Sequence, residues 1–192
     1  MPVLSERVDQ AILLAMKWHR HQMRKSTDVP YASHLLAVAG MVAEMGGTED
    51  EIIAAFLHDA AEDQGGRETL AVIEREFGKI VAEIVESCSD TFESPKPPWR
   101  ERKERYIEHL TEATHGALRV SLADKIHNAR TILFDLRQQG NKVFDKFNGG
   151  RDGTLWYYRS IAHVMKQRFP DPYWADELTR VVADLHRHSE AS

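Results

Sequence analysis

Residues 56–64 read FLHDAAEDQ, and this stretch carries the most informative side chains of the chain. His58 and Asp59 are followed by Glu62 and Asp63, so each later residue lies four positions after an earlier one. On a helix, residues four positions apart lie on the same face. The three carboxylates on this face repel each other unless a cation offsets their charge. The stretch therefore predicts a helical metal site with surplus carboxylates that can act on water.

The sequence on both sides of this stretch has the spacing of amphipathic helices. Thr48 followed by Glu51 predicts a capping box at a helix start. The segment Ala117–Leu136 carries apolar residues at steps of three and four, which predicts one buried stripe: Leu118, Leu122, Ile126, Ala129, Leu133 and Leu136. SPKPPW at 94–99 and FNGGRDG at 147–153 predict loops. Because few stretches alternate with a period of two, the expected fold class is all-α.

Composition sets bounds on the class of protein. The chain has 192 residues, a length that predicts one domain over residues 1–192. A formal charge of -5 gives no basic footprint, so we expect no nucleic-acid polymer as a partner. The single cysteine excludes an intrachain disulfide framework and favours a reducing cytoplasm. No window reaches the roughly 18 apolar residues of a membrane span, so no membrane association is expected. Oligomeric state cannot be read from this pattern.

Four residues have side chains that suit a divalent metal ion and together predict a metal site. His34, the pair His58-Asp59 and Asp124 each lie in a predicted helix, and His and Asp suit a divalent ion such as manganese or iron. Asp124 and Asn128 share a polar side of an otherwise apolar helix, as expected for a cavity wall. A lone histidine such as His19 is more often a structural residue. Spacing alone leaves open whether residues 34, 58 and 124 meet in space.

The motifs around these residues carry a family resemblance. The order His, then His-Asp, then a distant Asp resembles the metal-site signature of the HD-domain phosphohydrolases. MRKSTDVPYASHLLAVAGMV, FLHDAAEDQ and VSLADKIHNARTIL are similar to three successive motifs in the hydrolase domain of RelA/SpoT-type alarmone enzymes. The resemblance covers about residues 5–168. It implies a single HD-domain helical bundle, as in the stand-alone small alarmone hydrolases.

The resemblance also implies roles for individual residues. The metal ligands implied are His34, His58, Asp59 and Asp124, with manganese the usual ion and another divalent metal the alternative. Glu62 and Asp63 match the catalytic carboxylates that handle the attacking water. The implied substrate-binding residues are Arg24 and Lys25, with Ser26 or Thr27 beside them, then Asn128, and either Tyr157 or Tyr158.

The implied activity is removal of the 3′-pyrophosphate from guanosine tetra- and pentaphosphate, giving GDP or GTP and pyrophosphate. Two alternatives remain open: a related phosphohydrolase acting on adenosine alarmones, NADPH or a deoxynucleotide monophosphate, and a non-enzymatic nucleotide-binding module. The partner implied by the first activity is a small-molecule purine nucleotide substrate. Residues 94–110 contain a group of cations: Lys96, Arg100, Arg102, Lys103 and Arg105. These side chains either contact the phosphates of the substrate or form an exposed charged helix, and the second interpretation is favoured.

Overall fold

The structure, a computed structural model, describes residues 4–191, and helices dominate it. The ten α-helices of this range are α1 Glu6–Trp18, α2 Ala32–Glu44, α3 Glu49–Leu57, α4 Ala60–Gln64, α5 Gly66–Phe77, α6 Lys79–Cys88, α7 Trp99–Leu110, α8 His115–Gln139, α9 Gly150–Arg168 and α10 Pro172–Ala191. A 3₁₀ segment, Gly140–Lys146, follows α8. Residues 4–191 contain no strand, only an isolated bridge between Met23 and Pro30. The predicted all-α class is confirmed.

Two compact units make up the chain. The first comprises the residues up to Lys96 together with Ala113–Ala123. Here α3 packs against α1, α2 and α6, and α5 packs against α4 and α6. Most of the surface of α3 is apolar and buried, which makes it the central helix of this unit: Ile52, Ile53, Ala54, Ala55, Phe56 and Leu57. Because His58 directly follows this buried run, its side chain starts from the interior of the unit.

The start of α3 is fixed by the predicted capping box. The Thr48 backbone N–H donates to Glu51 Oε2 at 2.7 Å, and the Glu51 N–H donates to Thr48 Oγ1 at 3.3 Å. Arg119 of α8 also donates to Glu51, which is 8% exposed. One carboxylate therefore caps the central helix and ties it to α8.

The second unit comprises Pro97–Glu112 and the chain from Asp124 onward. In it α9 packs against α10, and α7 packs against α9. Helix α8 begins in the first unit and ends in the second. Its predicted apolar stripe is buried along the whole length, with each residue 6% exposed or less. Among residues 4–191, no helix is both long and apolar enough to cross a membrane.

One loop prediction is partly wrong. SPKPPW lies outside helices up to Pro98, as predicted, but α9 already begins at Gly150 within the glycine-rich string. The Trp99 ring lies so close that a Cβ added at Gly149 would be 2.5 Å from it, and one added at Gly153 would be 3.1 Å from it. These two glycines therefore admit an aromatic ring against the start of the helix.

Candidate metal centre

Two histidines and one aspartate converge in the first unit. His34 lies on α2, His58 follows α3, and Asp59 precedes α4. One ligand atom from each lies within 4.8 Å of the others. Asp59 Oδ2 is 3.0 Å from His58 Nε2 and 3.5 Å from His34 Nε2. Two imidazole nitrogens and a carboxylate oxygen form a donor set that fits a divalent transition-metal ion.

The helix is interrupted at this point, although His58 and Asp59 both keep helical backbone angles. The sequence predicts a single helical turn through residues 58–64, but α3 ends at Leu57 and α4 begins at Ala60. The His58 ring turns back so that its Nδ1 lies 2.8 Å from the Ala55 carbonyl oxygen. That bond makes Nδ1 the protonated nitrogen and leaves Nε2 toward Asp59, as is usual for metal-binding histidines.

Tyr31 holds the aspartate of this cluster, and the sequence analysis missed it. Its hydroxyl donates to Asp59 Oδ2 at 2.5 Å. Its ring meets His34 edge-on, with the centroids 5.5 Å apart, and stacks on His19 at 5.2 Å. The one available signal was its position, three residues before His34 at the start of α2. A hydrogen-bonded carboxylate has a fixed orientation, which favours metal binding.

The electrostatics of the cluster separate two carboxylates. Burial raises the pKa of the Asp59 carboxyl, but the His58 and His34 imidazoles outweigh burial and hold that pKa well below its usual range. Burial is also the largest influence on Asp63, followed by the negative charge of Asp59, and together they raise the pKa of Asp63. The Asp59 carboxyl therefore favours its ionised form, whereas the Asp63 carboxyl binds a proton more readily than an ordinary aspartate.

Each predicted catalytic carboxylate has donors of its own. Glu62 Oε1 accepts from Lys96 Nζ at 2.8 Å, and Glu62 Oε2 accepts from the Asp90 backbone N–H at 3.0 Å. Asp63 Oδ2 accepts from Gln22 Nε2 at 2.7 Å. Glu62 and Asp63 are therefore both held in place, but by different segments of the first unit.

The predicted basic pair lies in a tight loop before α2. The Arg24 N–H donates to the Val29 carbonyl at 2.8 Å, and the Arg24 guanidinium lies 5.6 Å from the centre of the Tyr31 ring. Lys25 is exposed. The Thr27 hydroxyl donates to the Arg24 carbonyl at 3.0 Å and accepts from the Val29 N–H at 3.2 Å. Thr27 therefore shapes the loop, while the two cations extend from it.

In the second unit, the predicted ligand Asp124 is 7% exposed and paired. Asn128 Nδ2 donates to its Oδ1, and Lys125 Nζ donates to its Oδ2 at 2.5 Å. Burial is the largest influence on the pKa of Lys125 and lowers it, but Asp124 and the neighbouring tyrosines Tyr106, Tyr157 and Tyr158 together outweigh burial and raise that pKa well above the usual value. Tyr157 and Tyr158 are each 7% exposed, and burial raises the pKa of Tyr157. Asn128, which the resemblance predicts to contact the nucleobase, donates its side-chain hydrogen bond to Asp124.

The cations of residues 94–110 have several different partners. Two ion pairs of α7 match the charged-helix interpretation: Arg100–Glu104 and Arg105–Glu101. The Arg100 guanidinium also lies 3.3 Å from the centre of the Trp156 ring. Two cations depart from that interpretation: Lys96 bonds to Glu62, and the buried Arg102 donates from Nε to the Pro97 carbonyl oxygen at 3.1 Å.

A family model described as an HD domain matches residues 11–155. The chain belongs to the HD-domain family. The bifunctional (p)ppGpp synthase/hydrolase SpoT of Escherichia coli K12 is 34% identical over 164 residues, which cover 82% of this chain and 22% of SpoT. The guanosine-3′,5′-bis(diphosphate) 3′-pyrophosphohydrolase MESH1 of Xenopus tropicalis is 37% identical over 126 residues, which cover 64% of this chain and 68% of MESH1.

The fold of this HD domain is also found among solved structures. The structure of a metazoan ortholog of SpoT that hydrolyses ppGpp superposes with a TM-score of 0.76 at 24% identity, over 94% of this chain and 97% of that one. The chain spans only 21–22% of the length of its Streptomyces and Escherichia coli relatives. The resemblance to the SpoT hydrolase domain and the small alarmone hydrolases, expected from the motifs, is confirmed.

Proposed function

We propose that this HD domain removes the 3′-pyrophosphate from guanosine tetra- and pentaphosphate, giving GDP or GTP and pyrophosphate. The observation that carries the proposal is the pair Glu62 and Asp63, each held by its own donors, within the same unit as the cluster of His34, His58 and Asp59. The 3′-pyrophosphohydrolase activity in the name of the Xenopus relative supports the same reaction.

The proposed metal is manganese, with another divalent ion as the alternative. We propose His34, His58 and Asp59 as ligands, with Asp124 as the fourth. The bond from His58 Nδ1 to Ala55 supports this assignment, because it leaves Nε2 as the metal-binding nitrogen. A divalent ion in such a site lowers the pKa of water and offsets phosphate charge.

The proposed reaction is a hydrolysis at phosphorus. The oxygen of water forms a bond to the phosphorus attached to the ribose 3′ oxygen, and the bond from phosphorus to that 3′ oxygen breaks. Glu62 or Asp63 takes a proton from the water, and the departing 3′ oxygen acquires one. Arg24 and Lys25 offset the charge of the phosphates, or Arg24 stacks on the base. The remaining proposed substrate contacts are Thr27, Asn128, Tyr157 and Tyr158.

We also retain three broader expectations as proposals. Residues 1–192 act as one HD-type hydrolase domain. The enzyme works in the cytoplasm, where a lone thiol such as Cys88 stays reduced. Its partner is a small purine nucleotide and not a nucleic-acid polymer, in keeping with the acidic net charge of -5.

A substrate panel tests the proposed function. The purified chain with manganese is offered guanosine tetraphosphate, its adenosine counterpart, NADPH and a deoxynucleotide monophosphate, and the products are separated by ion-exchange chromatography. We expect GDP and pyrophosphate from guanosine tetraphosphate. Glu62→Gln should abolish their release, and Glu44→Gln, on an exposed position of α2, should leave it unchanged. Turnover of another nucleotide with none of guanosine tetraphosphate would refute the proposed substrate.

A further inference from the structure

A hydrogen-bonded network lies beside the candidate site and ends at Asp63, one of the two predicted catalytic carboxylates. Its other members, His19, Gln22 and Gln64, have no role assigned by the motifs. His19 Nδ1 is 2.7 Å from Gln22 Oε1, and Gln22 Nε2 donates to Asp63 Oδ2 at 2.7 Å. Gln64 Nε2 also donates to Gln22 Oε1, at 2.9 Å. The network thus joins a buried histidine to one of the two predicted catalytic carboxylates through a single amide side chain.

The chemistry of the groups fixes the direction of these bonds. An ionised carboxylate only accepts, so the Gln22 side chain must present its NH₂ group to Asp63. Its carbonyl oxygen then faces His19, which must donate from Nδ1. Each end of the Gln22 amide is therefore used, and the amide cannot flip without losing its bond to Asp63.

His19 has the burial of a residue built into the site. It is 2% exposed, and no residue within 4–191 makes a hydrogen bond to its Nε2. Its ring stacks on Tyr31, with the ring planes 19° apart, and Tyr31 donates to Asp59. His19 therefore contacts both the side chain that holds Asp63 and the side chain that holds Asp59.

The same two partners of His19 close the loop that carries the basic pair. The Tyr31 N–H donates to the Gln22 carbonyl oxygen at 2.9 Å, so residues 22 and 31 lie side by side at the base of the loop. Arg24 and Lys25 extend from that loop. Because this bond joins backbone atoms, a substitution of the Gln22 side chain leaves it in place, and the loop that carries the predicted phosphate-binding cations keeps its base.

We propose that Gln22 and His19 are positioning residues: Gln22 orients Asp63 toward the attacking water, and His19 fixes the orientation of the Gln22 amide. The inference rests on the proposed function for its kinetic consequence. Its structural content, a His19 that donates from Nδ1 to Gln22, is independent of which nucleotide is hydrolysed.

The kinetic test replaces Gln22 by an apolar side chain of similar length. We expect Gln22→Met to lower kcat by about 10- to 100-fold, the usual effect of losing a hydrogen bond that orients a reacting group, with little change in KM or in manganese affinity. Gln10→Met, the same substitution on an exposed position of α1, is the matched control and should leave kcat unchanged. A kcat of Gln22→Met within about twofold of wild type would overturn the proposal.

Two variants at His19 separate positioning from packing. His19→Asn retains a donor where Nδ1 lies, whereas His19→Phe retains the stacked ring and loses the donor. We expect His19→Asn to keep at least tenfold more of the wild-type kcat than His19→Phe. Equal activity of the two variants, or higher activity of His19→Phe, would show that the ring and not the donor matters.

A spectroscopic measurement keeps this inference separate from the proposed function. In ¹⁵N spectra of the metal-free protein, His19 should show the Nδ1-protonated tautomer, and Gln22→Met should abolish that preference. If the chain hydrolyses none of the nucleotides tested, the proposed function fails, and this spectrum still decides whether the network exists. An Nε2-protonated His19 in the wild type would refute the network itself.

Discussion

The hydrogen bond from Tyr31 to Asp59 gives the sharpest prediction about metal binding. Tyr31→Phe removes one hydroxyl and keeps the ring contacts with His19 and His34. Asp59 Oδ2 then loses a donor 2.5 Å away while staying close to both imidazoles of the cluster. The carboxylate is left free to rotate away from the orientation that faces His34 and His58.

The expected size of the effect follows from the type of bond. A hydrogen bond to a charged group contributes about 1.5–3 kcal/mol. With about 1.4 kcal/mol for each tenfold change in affinity, its loss weakens manganese binding by roughly 10- to 100-fold. Because the Asp59 side chain is 23% exposed, water replaces part of the lost bond, and we expect a value in the lower half of that range.

Calorimetric titration of manganese into the metal-free protein measures this effect. The matched control is Tyr173→Phe, because Tyr173 is 66% exposed and lies on α10, away from the cluster residues in the sequence. Circular dichroism of both variants checks that the helices are intact. A manganese Kd for Tyr31→Phe within about threefold of wild type would refute the view that Tyr31 orients a metal ligand.

Two further predictions concern pH and stability. The hydrogen bond that Gln22 donates lowers the pKa of Asp63, although burial has the larger effect and raises it. Gln22→Met should therefore raise the pKa of Asp63 further and move the acid limb of the pH profile of kcat to higher pH. An acid limb that does not move would exclude Asp63 as the base. Arg119→Met leaves the buried Glu51 carboxylate without its ion pair, so urea denaturation should show that the free energy of unfolding falls by at most about 3 kcal/mol. The matched control, Arg75→Met, removes an exposed ion pair and should lower that free energy by under about 1 kcal/mol. Equal losses for the two variants would contradict this account.

The features that sequence predicted well are those set by local physics. The capping box at Thr48 and Glu51 needs only a spacing of three residues, and both of its bonds are present. The apolar stripe of α8 follows from helical periodicity, and all of its members are buried. Spacing also drew attention to His58 and Asp59, although the interruption between α3 and α4 was not foreseen. That His34 meets these two residues in space was implied only by the family resemblance.

The features that sequence missed depend on contacts between distant segments. Gln22 reaches Asp63 across 41 positions, and Tyr31 reaches Asp59 across 28. No local pattern distinguishes these side chains from ordinary surface residues. His19 was interpreted as a structural histidine because a lone histidine on a helix gives no sign of its partners.

The glycine-rich string at 147–153 was misread for a related reason. In the sequence, its three glycines are typical of a loop. In the structure, two of them make room for Trp99, a residue about 50 positions earlier in the chain. A glycine that admits a neighbouring side chain and a glycine that permits a turn cannot be distinguished from the sequence, because only the tertiary contact shows which role it has.

The most direct test of the central claim is the fate of the oxygen that comes from water. Guanosine tetraphosphate is hydrolysed by the manganese-loaded chain in H₂¹⁸O, and the products are analysed by mass spectrometry. Attack at the phosphorus of the 3′-pyrophosphate predicts one ¹⁸O atom in the pyrophosphate and none in the GDP. Label in the GDP, release of orthophosphate from the 5′ end, or no hydrolysis at all would contradict the account.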